Sequence, residues 1–169
     1  MLSSALKPAT PATVRSAYLS ELTAGIEHPT LLLGRWVEER AFSEMLSMGL
    51  IDLKAVQPDA TGHEPLGLLG INRVNLTMGA GYLVYSTYRE SILFWPALVE
   101  YLSTVFQRVA LRRIYIETVA GSSEMTTSLG EAGAVHCLTF HAHSFRNGHF
   151  ADIELWALDR GSTQSFEVL

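Results

Sequence analysis

Val135-His-Cys-Leu-Thr-Phe-His-Ala-His-Ser-Phe-Arg146, then Asn147-Gly148, then His149-Phe-Ala-Asp-Ile-Glu-Leu-Trp-Ala-Leu158 is the stretch that decides the fold class. Apolar and polar residues alternate on both sides of an Asn-Gly pair. Asn and Gly tolerate the positive φ angles of a tight two-residue turn, so the stretch predicts a long β-hairpin. Upstream, Ser122–Glu131 reads as a helix, capped by Ser122 or Ser123 and stopped by Gly133. Before it lies a strand, Ile114–Val119. Before that, Leu98, Val99, Leu102, Val105, Phe106 and Val109 carry the spacing of a helix packed on a sheet. Leu66–Leu76 and Tyr82–Tyr85 read as strands joined by Thr77–Gly81, and Leu50–Val56 as a strand before the turn Asp59–Gly62.

The first fifty residues change period. Ser4–Lys7 is a short strand. A helix follows the cap Thr10-Pro-Ala-Thr13, with Val14, Tyr18, Leu19 and Leu22 on one side, and ends near Gly25. A second helix runs from His28-Pro-Thr30 to Gly49. The order β-α-α-β-β-β-α-β-α-β-β is a mixed α/β pattern with a central antiparallel meander.

Composition narrows the function classes. The chain has 169 residues, 48% hydrophobic and 17% charged, with a formal net charge of −5. That suits one domain with a full core and excludes a disordered chain. Neither half is basic, so no dedicated DNA-binding domain is expected. A single cysteine, Cys137, excludes an internal disulfide framework and a Cys-rich zinc site. No apolar run approaches the ~20 residues of a membrane span, and the start lacks a signal-peptide pattern. The expectation is a soluble, cytoplasmic domain over 1–160 with a tail at 161–169.

In this order, the segments resemble the GNAT superfamily of acyl-CoA-dependent N-acyltransferases, in its branch that acetylates ribosomal-protein N-termini and small amines. Leu6-Lys-Pro-Ala-Thr10 resembles its first strand and exit, and Leu111-Arg-Arg-Ile-Tyr-Ile its fifth strand. Leu129-Gly-Glu-Ala-Gly133 resembles the end of its fourth helix. Phe145-Arg-Asn-Gly-His-Phe-Ala-Asp152 with Leu155-Trp-Ala-Leu158 resembles its closing hairpin, including the Asp after the turn. The resemblance implies a GNAT-like, largely antiparallel twisted sheet flanked by helices. It also implies a thioester donor such as acetyl-CoA. The donor's pantetheine arm would pair with backbone at a splay between the fourth and fifth strands, and its pyrophosphate would meet the N–H groups that open the third helix.

That pyrophosphate loop departs from the family pattern. Arg89 falls on the leading Arg/Gln, but the two small positions fall on Ile92 and Phe94, and Glu90 adds a negative charge. Pro96 would sit beyond the first turn of a helix begun at Ser91, so the helix is expected to start nearer Trp95. Carried over by resemblance, Val84 and Tyr85 hold the pantetheine through backbone groups, with Arg89, Ser91 and Ser122 as further donor contacts. Ser123 and Tyr82 take the proton steps. Ser122 and Ser123 also read as plain N-caps, and Tyr82, Tyr85 and Tyr88 as aromatic packing.

Four histidines, His136, His141, His143 and His149, fall on the last two strands. Alternation puts His141 and His143 on one face. They read as a general base, as solvated strand histidines, or as a metal pair that lacks a third ligand. Cys137 reads as a small buried apolar residue. Glu38, Glu39 and Glu44 read as a solvated helix face or as a carboxylate cluster favouring a cationic amine.

Three functions stay open. The first is N-acyl transfer, acetyl above all, from acetyl-CoA or another acyl thioester to the amine of a small-molecule or amino-acid-like acceptor, with no metal. The second takes its donor from a carrier protein or an aminoacyl-tRNA, and a basic patch of Arg89, Arg108, Arg112 and Arg113 would favour it. The third is a non-catalytic binding module, or a homodimer, built on the apolar surface of Ile92, Phe94 and Trp95.

Overall fold

The computed structural model describes residues 5–15, 19, 40, 44, 50–57, 65–87, 93–121, 123–146 and 149–162. Its elements are β1 (Ala5–Pro8), β2 (Leu50–Gln57), β3 (Gly67–Asn75), β4 (Ala80–Thr87), α1 (Phe94–Arg108), β5 (Arg113–Val119), α2 (Ser123–Glu131), β6 (Val135–Arg146) and β7 (His149–Asp159). The strands form one seven-stranded sheet in the order β1-β2-β3-β4-β5-β7-β6. β4 and β5 are parallel, whereas β1–β2, β2–β3, β5–β7 and β6–β7 are antiparallel. The mixed, largely antiparallel sheet read from the sequence is what forms. The two expected N-terminal helices lie mostly outside the described residues.

The chain divides into two compact units, residues 1–72 with 84–98 and residues 73–83 with 99–169. In the first, residues 11–15 are helical. Their start is capped reciprocally: the Thr13 N–H donates to Thr10 Oγ1 (3.2 Å) and the Thr10 N–H to Thr13 Oγ1 (2.7 Å). Each hydroxyl satisfies an N–H that the helix start leaves without a carbonyl. The core holds Ala55, Val56, Leu68, Leu69, Ile71 and Phe94. A methyl group at Gly67 would collide with the Ser86 carbonyl oxygen and stand 2.6 Å from Phe94 Cε2. Glycine there lets β4 backbone and an aromatic ring close over β3.

Phe94 opens α1, one residue before the expected start. The Ala97 N–H reaches the Leu93 carbonyl at 3.4 Å as the helix begins. Pro96 is the third helical residue, where a missing N–H costs nothing. Phe94 is 1% exposed. Its bulk fills the core, which corrects the reading of Phe94 as part of an exposed apolar loop surface. Its ring meets Trp95 edge-on, with centroids 5.2 Å apart.

In the second unit, Tyr101, Leu102, Val105 and Phe106 of α1 are buried, as are Ile114 and Ile116 of β5 and Met125 and Leu129 of α2. Gly133, at φ 76°, ends α2. The Ala134 N–H returns to the Leu129 carbonyl (2.8 Å) and the Gly133 N–H to the Gly130 carbonyl (2.9 Å), the paired bonds of a Schellman stop. Arginines fasten the link between α1 and β5. Arg160 donates to the Val109 and Leu111 carbonyls, and Arg112 to the Met78 carbonyl. Arg113 forks onto Asp159 at 2.7 and 2.8 Å. Residues Arg160–Ser162 form a short 3-10 turn, so the expected tail begins in ordered chain.

Candidate functional site

Strict alternation along β7 puts Asp152, Glu154 and Trp156 on one face of the sheet. Thr118 of β5 pairs with Glu154, and His136 of β6 pairs with Trp156. One oxygen gathers this row. Glu154 Oε2 accepts from the Trp156 indole N–H (3.3 Å) and from the Thr118 hydroxyl (3.5 Å). Thr118 is buried, so its hydroxyl needs that partner. The His136 ring meets the Trp156 indole edge-on at 5.2 Å, and its Nε2 lies 3.2 Å from Thr139 Oγ1.

The hairpin is not regular. Between the pairs Phe140↔Ile153 and Ser144↔Ala151, three residues of β6 stand against Asp152 alone. Ala142 sits in the middle of this bulge at φ 49°, a left-handed conformation that an alanine side chain disfavours. The Asp152 carboxylate holds it there. Oδ1 accepts the Ala142 N–H at 2.8 Å, and Oδ2 lies 2.9 Å from His141 Nδ1. Those two contacts, the amide first, hold the Asp152 carboxyl below its usual range. The Asp152 carbonyl accepts the Ala120 N–H at 3.0 Å. The bulge therefore stands just past the last β5 pair, Val119↔Ile153, where the chain turns into α2.

This geometry corrects one histidine expectation. His141 and His143 do not share a face as a pair, because the bulge separates them. His141 takes the carboxylate, while the His143 ring lies on Phe140, with centroids 5.0 Å apart. No group of three or more potential ligands that could hold a metal occurs among the described residues. Cys137 is exposed rather than buried. It stands where the β6–β7 register shifts between His136 and Leu138, on the edge strand of the sheet, whose residues 135–138 are all exposed.

The expected donor residues divide. Tyr82 pairs with Tyr115 across β4–β5, with ring centroids 5.2 Å apart, and the Arg73 guanidinium lies 5.5 Å over its ring. The register between β4 and β5 runs from Ala80↔Arg113 to Leu83↔Ile116. Val84 and Tyr85 follow on the same strand, Val84 half-buried and Tyr85 buried. Ser123 opens α2. Arg89, Ser91 and Ser122 lie outside the described residues, as do Tyr88, Ile92, Glu38 and Glu39. Glu44 is in a helical position and pairs with Arg40 at 2.8 Å, which compensates its charge. Of the basic patch, Arg113 pairs with Asp159 and Arg112 donates to the Met78 carbonyl.

Sequence reasoning missed the Asp152–His141 and Glu154–Trp156 pairings. Period-two spacing from Asp152 to Trp156 could have placed the second. The first depends on a bulge that no glycine announces.

Solved structures match this fold over nearly its full length. A mutant form of the spermidine/spermine N-acetyltransferase SpeG from Vibrio cholerae is 12% identical, covering 98% of each chain with a TM-score of 0.79. A probable GNAT-family acetyltransferase from Chromobacterium violaceum is 17% identical, covering 96% of this chain and 85% of that one with a TM-score of 0.71. The ribosomal L7/L12 alpha-N-protein acetyltransferase RimL, solved with coenzyme A, is 13% identical, covering 94% and 96% with a TM-score of 0.72. No family model matches the sequence, nor does any curated protein at a significant level. At these identities the likeness carries the fold, and the chain has the fold of the GNAT acetyltransferases.

Proposed function

We propose that this chain is an N-acyltransferase, moving an acetyl or other acyl group from a thioester such as acetyl-CoA to the amine of a small-molecule or amino-acid-like acceptor. The observation that carries the reading is the likeness to acetyltransferases over 94–98% of the chain, among them a spermidine N-acetyltransferase solved with CoA and spermine. Residues 1–160 act as the transferase domain, with 161–169 as its tail.

The chemistry asks little of the protein. An amine must lose a proton, the thioester oxygen needs hydrogen-bond donors as it gains charge, and the thiolate needs a proton. In this reading the backbone of Val84 and Tyr85, directly after the stretch of β4 paired with β5, holds the pantetheine arm and supplies the N–H for the oxyanion. Arg89 takes a phosphate, and Ser91 and Ser122 are further donor contacts. Ser123 at the start of α2 and the Tyr82 phenol serve the proton steps. The inward turn of Phe94 supports the reading, since one of the two bulky residues at the family's small loop positions is withdrawn into the core.

Calorimetric titration with acetyl-CoA, with 3′-dephospho-CoA and desulfo-CoA as controls, tests the donor. Micromolar binding that weakens without the 3′-phosphate is the expected result. No binding up to millimolar would sink free CoA as donor.

A further inference from the structure

The hairpin bulge holds a feature that the donor chemistry does not use. Asp152 Oδ2 faces His141 Nδ1 at 2.9 Å while Oδ1 is fixed by the Ala142 amide. A carboxylate pinned by backbone accepts a hydrogen bond from Nδ1–H, which leaves Nε2 bare as the ring's acceptor. The His141 side chain is 81% exposed, so that nitrogen is open to an incoming molecule and to water. Among the described residues, Asp152 is the charged group that faces it from β7, and His143 of the same bulge is turned onto Phe140. The Ala120 N–H bond to the Asp152 carbonyl ties the bulge to the end of β5, three residues before Ser123.

We propose that His141 is the general base that deprotonates the acceptor amine, with Asp152 as the residue that positions its ring. The inference rests on the acyltransferase reading. The acceptor arrives as R–NH3+, and His141 Nε2 takes one proton. The free amine attacks the thioester carbonyl, so a C–N bond forms and the C–S bond breaks. The second amine proton leaves with the thiolate as thiol. His141 returns its proton to solvent, for a net yield of amide, free thiol and one H+.

Two measurements on the full-length protein test this. The first is 15N NMR of the histidine rings near neutral pH, which requires no acceptor. A His141 ring protonated on Nδ1 and bare on Nε2 is expected, and a ring protonated on Nε2 would overturn the proposal. The second is thiol release from acetyl-CoA with spermidine and with a short Ser-initiated peptide as probe amines. His141→Gln should lower kcat by about 100-fold or more and remove the ascending limb of the pH profile. Asp152→Asn, whose amide oxygen still caps Ala142, should cost about tenfold. Acetyl-CoA affinity should stay unchanged in both variants. Turnover within twofold of wild type in His141→Gln would overturn the base alone. Failure of the wild type to bind acetyl-CoA would instead bring down the acyl-CoA reading, and the tautomer would still decide the orientation of His141.

Discussion

The start of α1 and the bulge of the closing hairpin solve opposite problems. At the start of α1 the local rules agree. Gly67 stands where a side chain cannot fit, Phe94 fills the space, and Pro96 occupies a turn that needs no N–H. At the bulge the local rule is broken. Ala142 sits at φ 49°, where glycine would be at ease, and a carboxylate is recruited to hold it. The first region is built for stability. The second stores strain and points a half-oriented imidazole at solvent, the kind of conflict that natural folds keep where there is chemistry to perform.

The comparison breaks first at Phe94. Phe94→Ala empties a fully buried ring and should cost about 3–5 kcal/mol, read from the urea midpoint. Gly67→Ala should cost about 2–3 kcal/mol, because its methyl meets backbone that cannot swing aside. Next comes Gly133→Ala, which forces a side chain into φ 76° within 3.0 Å of Ser162 Cβ, for about 1–2 kcal/mol. At the bulge the sign should reverse. Ala142→Gly should stabilise by about 0.5–1 kcal/mol by relieving the left-handed strain, since glycine keeps the amide that Asp152 accepts. If Ala142→Gly destabilised the fold, the bulge would not be strained and the contrast would fail.

Most of the sheet was legible because periodicity is a property of neighbours in sequence. The hairpin, the Gly133 stop and the Thr10 cap each announce themselves within a few residues. The inward turn of Phe94 was not legible. It depends on Gly67, twenty-seven positions away, leaving room for the ring. The exposure of Cys137 and the separation of His141 from His143 were not legible for other reasons. The first follows from β6 standing at the sheet edge, where residues on both faces are exposed, and the second from a bulge that inserts two extra residues between Phe140 and Ser144. Of the candidate site, Tyr82 was readable as aromatic packing. The carboxylates that organise Trp156 and His141 were readable only as members of one strand face, since hydrogen-bond partners across a sheet are set by register and not by local pattern.

The smallest expected effect is the most specific to the bulge. The Ala142 amide and His141 lower the Asp152 carboxyl in the folded chain. A carboxyl depressed on folding stabilises above its unfolded value of about 3.9, and loses that contribution as pH falls through the folded value. Asp152→Asn has no such titration. Its stability deficit against wild type should therefore close as the pH is lowered through the carboxylate range. It should shrink with added salt, since the pair is largely solvated. Urea midpoints for the two proteins across pH 2–7 measure this directly. A deficit that persists at pH 2 would mean that the carboxylate does no electrostatic work at the bulge, and that Asp152 holds Ala142 by shape alone.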